Sequence, residues 1–544
     1  MPTLNWIGKD AVINHHLEVP FHLLKDVPEL ACGDPGSGNL IVEGDNLVAL
    51  KALLPYYKGK VKCICIDPPY NTGNEGWAYN DNVNSPAIRK WIGNTVGGEG
   101  ETLDRHDRWL CMMYPRLALL QEFLSENGSI FVFLDDNEVH ALRYLMNEIF
   151  GAQNFVATVV WQKKYAIAND HKTIAPMHDY AIVYQRSPLW KRNLLPRGEE
   201  KDDLYRYEDK AGRFRPDNYT CSKSVEERPN LFYAVKNPNT GLEIWPKRTR
   251  VWAYSKEEHQ RHIAEDLIYW GKDGTGKVPS YKRYRHALRN ADGVVPQTLW
   301  THDFAGHTDE SRKELREILH DVPSVSDFAT PKPTRLIERV LQIATNPGDL
   351  IMDSFSGSGT TGHAVLKMNA ATQESTARHF ILVEMDEKIA PDITRERVKR
   401  VAESYTNAKG VSVPGLGGGF RYVRLGDELF DEHGRINETK VRFADLARHV
   451  YFSETGEPLP KEHISAKTPL LGVHHGRAVY LLYNGILKDK SVDGGNVLTT
   501  TTLEHLPAHD GPKVVYAAGC RFSKARLERE SITFKQTPYA IRTR

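Results

Sequence analysis

The feature that most constrains the fold is a set of short apolar runs, each closed by polar punctuation and followed by a helical pattern. Val61 to Ile66, Ser129 to Leu134, Leu350 to Ser354 and Phe380 to Glu384 read as strands buried on both faces of a parallel sheet. Between the first two, Leu110, Met113, Leu117, Leu120 and Leu124 recur at three- and four-residue steps, one face of a helix. Asn127-Gly128 is expected to stop that helix, as a C-terminal glycine does. Strand alternating with helix predicts a doubly wound α/β domain. The alternation occurs in two blocks, 41–185 and 330–400, so one sheet is expected from two halves of the chain. A length of 544 residues also exceeds what one core usually holds.

The stretch between the blocks has another character. From Arg186 to Trp300 there are 23 Lys and Arg against 16 Asp and Glu, although the whole chain has a net charge of +1. The basic residues are interleaved with Tyr205, Tyr207, Phe214, Tyr219, Trp245, Trp252, Tyr254, Tyr281 and Tyr284. Such residues can contact phosphates and stack on bases, or they can form a solvated surface over a small aromatic core. Gly271 to Gly276 followed by Lys277 has phosphate-loop spacing. Val278 and Pro279 follow where a hydroxyl and a helix should be, so it reads as a hairpin turn. After Pro414-Gly415-Leu416-Gly417-Gly418-Gly419 comes a C-terminal segment with strands such as Ala478 to Tyr483. The expected division is an N-terminal segment 1–40, a first half-sheet 41–185, an insertion 186–300, a second half-sheet 301–405 and a C-terminal α+β extension 406–544.

Several classes are excluded by composition. No run approaches the roughly eighteen apolar residues of a membrane span, and the N-terminus lacks the form of a signal peptide, so a cytoplasmic protein without membrane contact is expected. Cys63 and Cys65 lie two apart on a strand, as small core residues. No metal site is expected.

The strongest chemical signal is Asp67-Pro68-Pro69-Tyr70, directly after the strand Val61 to Ile66 and followed by Asn71-Thr72-Gly73. Strand C-termini of parallel sheets are where ligands sit. Two prolines remove two donors and leave carbonyls that only accept. Asp67 and the Pro68 carbonyl suit the two N–H groups of an exocyclic amine, with Tyr70 stacked on the base ring. Drawing those hydrogens out of plane localises the nitrogen lone pair and stabilises the positive charge that develops on attack.

The second signal is Asp353-Ser354-Phe355-Ser356-Gly357-Ser358-Gly359-Thr360-Thr361-Gly362, between the strand Leu350-Ile351-Met352 and a helix expected to begin near His363. Glycines there let backbone approach a ligand at a helix N-terminus. Glu384, ending the next strand, can bind ribose hydroxyls. Gly357, Gly359 and Gly362 also satisfy the dinucleotide fingerprint, so nicotinamide binding competes on this motif alone. Asp353 and Phe355 fit better a cofactor with an ammonium group and no pyrophosphate.

Together the two motifs resemble the β-group of amino-methyltransferases, where Asp-Pro-Pro-Tyr precedes the cofactor loop and a basic target-recognition insertion separates them. The resemblance implies a Rossmann-like S-adenosylmethionine-dependent methyltransferase sheet in circularly permuted motif order. It implies methylation of adenine N6 in double-stranded DNA, with Asp67, Pro68, Pro69 and Tyr70 catalytic. Gly44-Asp45-Asn46 resembles the acidic strand end that meets the cofactor's adenine, and Pro331-Lys332-Pro333 the segment at its methionine end. The implied cofactor residues are Asp45, Asp67, Lys332, Asp353, Phe355, Gly357, Gly359, Thr360 and Glu384. More narrowly, Asp67 to Gly73, Arg108 to Arg116, Thr360 to Val365 and Phe443 to Arg448 are similar to the modification subunits of Type III restriction systems. That similarity implies a helicase-nuclease restriction partner and a homodimer.

Other readings stay open. Cytosine-N4 chemistry often has Ser in place of the leading Asp, so Asp67 favours adenine. Cytosine-C5 chemistry needs a Pro-Cys pair that is absent. A recognition subunit with vestigial catalysis, or a nicotinamide oxidoreductase, would leave the intact Asp67 motif unexplained.

Overall fold

The computed structural model describes the chain except residues 1–2, 35, 73–104, 167–171, 198–202, 288–292, 329, 373–375, 458, 460–467, 484, 489–493, 542 and 544. Gly73 of the Asp-Pro-Pro-Tyr segment therefore lies outside the described residues. The chain divides into two compact units, one of residues 1–192 with 297–544 and one of residues 193–296.

The first unit is built on a ten-stranded sheet. Its strands in chain order are β1 (His22–Asp26), β2 (Leu40–Glu43), β3 (Val61–Ile66), β4 (Leu124–Leu134), β5 (Phe155–Gln162), β6 (His178–Gln185), β7 (Leu299–Trp300), β8 (Leu350–Asp353), β9 (His379–Glu384) and β10 (Arg421–Glu428). The spatial order is β1-β10-β2-β9-β8-β3-β4-β6-β5-β7. The six strands from β10 to β4 are parallel. Burial on both faces explains why β3, β8 and β9 are mostly apolar, with polar residues kept to Lys62, Asp353, His379 and Glu384: every residue of β9 but His379 is buried. The second block of chain enters the middle of the sheet, where β8 pairs with β3 through Ile351↔Cys63 and Met352↔Ile64. Cys63 and Cys65 are core residues, 0% and 1% exposed.

Three local expectations are corrected. The helix Arg105–Phe123 ends before Asn127-Gly128, because β4 starts at Leu124 in register with Val61 and takes up the backbone groups. Gly128 sits inside β4, where a Cβ would lie 3.0 Å from the Val61 carbonyl oxygen. The helix after the glycine loop spans Thr360–Ala371, three residues earlier than expected, and is entered through Gly359 at φ 72°. The sheet also takes in β1, from the N-terminal segment, and β10, from beyond residue 405. Tyr422 and Arg424 on β10 bind the Glu43 carboxylate at 2.6 and 2.8 Å, and β10 covers what would be a bare edge of β2.

The remaining C-terminal chain forms a four-stranded sheet of Leu470–His474, Arg477–Leu481, Lys513–Ala517 and Ile532–Gln536, the last three parallel. The helix Phe443–Thr455 packs in its core.

The second unit contains a four-stranded antiparallel sheet of Tyr207–Asp209, Gly212–Asn218, Ile268–Tyr269 and Ser280–Tyr284. Gly271 to Lys277 lies in the hairpin loop between the last two, as expected. Most of the interleaved aromatics are core. Tyr205, Phe214, Tyr219, Trp252 and Tyr284 are all buried, and Trp245 is the exposed exception at 55%.

Candidate active site

Because β3 and β8 are parallel neighbours, Asp67 after the one and Ser354 after the other open on the same sheet edge. One cavity there is lined by Asp67, Lys332, Asp353, Phe355, Gly357 and Thr360, with Ser356 and Ser358. Six residues singled out from three separate stretches of sequence thus share one wall.

Lys332 joins the two motifs. Its ammonium donates to Asp67 Oδ2, and it lies 5.0 Å from the centre of the Tyr70 ring. Lys332 is 8% exposed and the Asp67 side chain 19%, so removing either partner would leave a largely desolvated charge uncompensated. Asp67 Oδ1 is buried and has no partner among the described residues. One carboxylate oxygen is anchored and the other is open as an acceptor.

The Pro-Pro step is held from one side. Trp109 Nε1 donates to the Pro69 carbonyl at 2.7 Å, and no described residue donates to the Pro68 carbonyl. Asn71 then turns the chain at φ 58°. Its amide donates to the Arg105 carbonyl at 3.1 Å and to Glu138 Oε1 at 2.5 Å, while His106 Nδ1 reaches the same oxygen at 2.6 Å. Glu138 is fully buried, and burial raises its carboxyl above the usual range.

Tyr70 faces a second cavity of about 490 Å³, which it lines with Asp135, Trp161, Lys163, Asp179 and Lys332. Burial, and then the charge of Asp67, push its phenol well above the ordinary value, so it stays protonated. Asp179 is buried and paired with Lys163 at 2.5 Å, with burial raising its carboxyl.

On the β8 side, Asp353 accepts from Thr361 Oγ1 at 2.6 Å and from the Phe355 amide at 3.1 Å. Burial pushes its carboxyl up to about 7 against those two bonds. Ser354 Oγ and Ser356 Oγ are buried without partners among the described residues. Gly359 needs its left-handed φ, and a Cβ there would also meet the Thr394 carbonyl at 2.9 Å. The obstacle to a side chain is therefore the protein itself, not only a ligand. Arg397, fully buried, donates to Thr360 Oγ1 at 2.8 Å and to Glu314 at 3.0 Å, pinning the helix start.

Pro68, Pro69 and Gly359 belong to the two motifs but line neither cavity, and two further predicted residues, Glu384 and Asp45, also lie outside both linings. Glu384 is 1% exposed, and its oxygens accept from the Gly357 and Asp386 amides, each at 2.9 Å. It braces the glycine loop from behind, and burial pushes it up to about 8. Asp45 caps the helix Asn46–Tyr57 and contacts Arg116 at 3.4 Å, while Asn46 reaches the Ser354 carbonyl at 3.3 Å. Trp109, Glu138 and Arg397 were not singled out from the sequence as site residues. A polar residue breaking an apolar helical stripe, as Arg397 does, is the kind of signal that marks such a residue.

Among the described residues no group of His, Cys, Asp and Glu could hold a metal, and no helix is long and apolar enough to cross a membrane.

A mostly parallel sheet with an acidic Pro-Pro-Tyr strand end beside a glycine loop defines the class as a Rossmann-like methyltransferase fold. The chain belongs to the DNA methylase family, whose profile matches residues 61–395. It is 32% identical over 396 residues to the Type III restriction-modification enzyme StyLTI Mod subunit of Salmonella typhimurium, covering 67% of this chain and 57% of that protein. It is 28% identical to the Type III EcoP15I Mod subunit of Escherichia coli (74% of this chain, 69% of that one). It is 27% identical to the Type II methyltransferase M.KpnI of Klebsiella pneumoniae (75% and 97%). The match therefore spans little more than half the length of the StyLTI subunit.

Proposed function

We propose that the protein transfers a methyl group from S-adenosylmethionine to N6 of an adenine flipped out of double-stranded DNA, as the modification subunit of a restriction system. The observation that carries this reading is the Lys332–Asp67 contact, which sets the amine-binding strand end against the wall of the cofactor loop.

The cavity chemistry fits the cofactor. Asp353 is a buried acceptor for an ammonium group, Lys332 and the Thr360 helix start suit a carboxylate, and the buried Ser356 hydroxyl on the cavity wall has no partner among the described residues. Phe355 supplies apolar contact, and Gly357 and Gly359 keep the loop close to a ligand. Asp45 and Glu384 are assigned to the adenosine end, Glu384 acting at least through the loop it braces. When bound, the cofactor supplies an electrophilic methyl group for in-line transfer.

The chain's own groups do the rest. Asp67 Oδ1 and the Pro68 carbonyl accept the two N–H groups of the target amine, localising its lone pair. Trp109 and Pro69 fix the direction of the Pro68 carbonyl. Tyr70 stacks on the base within the second cavity, and Lys332 on its ring sets where that ring lies. Flipping costs a few kcal/mol, of which stacking returns about 1–3 kcal/mol.

Residues 41–185 and 301–405 are read as the catalytic and cofactor halves, 186–300 as the target-recognition domain, with 1–40 and 406–544 flanking them. The Type III relatives are subunits of restriction-modification enzymes, which supports a restriction partner; its helicase-nuclease identity, a homodimer and a cytoplasmic location are further parts of the proposal. M.KpnI favours a second reading, a methyltransferase that works without such a partner. The test is tritium transfer from labelled S-adenosylmethionine to unmethylated DNA, followed by nucleoside analysis. N6-methyladenine supports the reading; N4-methylcytosine or no transfer overturns it.

A further inference from the structure

Trp245 departs from the rule that the aromatics of residues 193–296 are core. It follows the short hairpin of Val235–Lys236 with Glu243–Ile244, whose register pairs Ile244 with Val235 and Glu243 with Lys236. Val235 and Ile244 are buried, so Lys236, Glu243 and Trp245 share the solvent face by two-residue alternation. The indole is backed by Phe232, ring centres 5.2 Å apart, and the Arg248 guanidinium lies 6.0 Å from Phe232.

The hairpin is built to hold its shape. Asn237, fully buried, accepts from the Asn239 amide at 2.9 Å and donates to the Gly274 and Gly276 carbonyls at 3.1 and 3.2 Å. Those bonds also dock the 271–277 loop against it. Lys236, Lys247, Lys272 and Lys277 are exposed, and none has an acidic partner among the described residues. Arg248 pairs with Glu226 at 3.2 Å in the open, a contact worth little in water and readily exchanged for a phosphate.

A large aromatic ring kept in water beside a rigid hairpin, in a segment whose exposed Lys236 and Lys247 have no acidic partner among the described residues, has the complementarity of a nucleic-acid wedge. We infer that this hairpin face grips duplex DNA, its lysines on phosphates and Trp245 inserted against an unstacked base step. The inference rests on the methyltransferase reading and names the surface that serves it.

The test uses the full chain and a labelled mixed-sequence duplex, read by fluorescence anisotropy across a salt series. Trp245→Ala should weaken binding about tenfold and Trp245→Phe much less, since stacking on one ring is worth about 1–3 kcal/mol. Lys236→Gln with Lys247→Gln should lower the salt slope by about two, at roughly 0.9 per phosphate contact. Melting temperature and S-adenosylmethionine affinity should not change. Wild-type affinity and slope in these variants would overturn the inference, as would unchanged DNA binding with loss of a co-expressed restriction subunit. Absence of methyl transfer by the wild type would remove the functional reading, while DNA anisotropy would still decide the surface.

Discussion

The ammonium of Lys332 meets the carboxylate of Asp67 across 265 residues of chain, and the same ammonium lies over the face of Tyr70. One cation thereby fixes the acceptor for the target amine and the ring on which the base is proposed to stack. It also lines both cavities, so cofactor and base would sit on opposite sides of it.

Asp67→Ala should cost about 2–4 kcal/mol in the barrier to methyl transfer, as loss of one preorganised charge-stabilising contact does. Cofactor affinity should fall less, because Asp353 and the glycine loop remain. Tritium incorporation beside calorimetry separates the two, and near-wild-type turnover would refute the mechanism.

Gly359→Ala should damage the cofactor loop without any clash with ligand. A left-handed φ costs an L-residue about 1–2 kcal/mol, and the added Cβ would press on the Thr394 carbonyl. A lowered melting temperature of the cofactor-free protein, together with weaker S-adenosylmethionine binding, is expected. Loss of cofactor affinity with an unchanged melting temperature would contradict this account.

The buried acids set a pH dependence. Glu384 is raised to about 8 and Asp353 to about 7 in the folded protein, whereas both sit near 4 when unfolded. The fold therefore holds these protons more tightly than the unfolded chain. The stabilisation is full below about pH 4 and is lost as pH rises through about 7 and 8. The cofactor-free protein should lose stability over that window, and Glu384→Gln should flatten the loss. Cofactor affinity should rise with pH through about 7 as Asp353 ionises and its carboxylate meets the ammonium group. An equally steep stability curve in Glu384→Gln would show that this residue is not the source.

Glu138→Ala should uncouple Asn71 and His106 from their shared oxygen at the turn after Tyr70. Removing one partner of a buried hydrogen bond costs about 1–3 kcal/mol. Methyl transfer should fall while S-adenosylmethionine affinity, set on the β8 side, holds. Equal losses in both would mean that Glu138 supports the whole sheet edge rather than this turn.

Much of the site was legible along the chain. Apolar runs gave β3, β8 and β9 because a strand covered on both faces is apolar along most of its length, and the motifs at their ends could be read for chemistry. Asp67 and Asp353 stood out because each opens a motif, Pro68-Pro69-Tyr70 after the one and the glycine loop after the other. Strand-end position alone would not have sufficed, since Glu43 and Glu384 end strands too and are held in structural hydrogen bonds. Aromatic interleaving in 193–296 was less informative, since core formation and base stacking call for the same residues. Only burial separates Tyr219 at 1% exposed from Trp245 at 55%.

What the sequence determined by itself is local: which segments form strands, where glycines must sit, and which strand ends carry acceptors. Periodicity and φ preferences act between neighbours and can be read there. Tertiary structure decided the rest: that β3 lies beside β8, that Lys332 anchors one oxygen of Asp67 and leaves the other open, that Glu384 braces a loop, and that β10 from far along the chain covers β2. These are pairings across hundreds of residues, and the charge, burial and hydrogen-bond partner of each group depend on what the fold sets next to it.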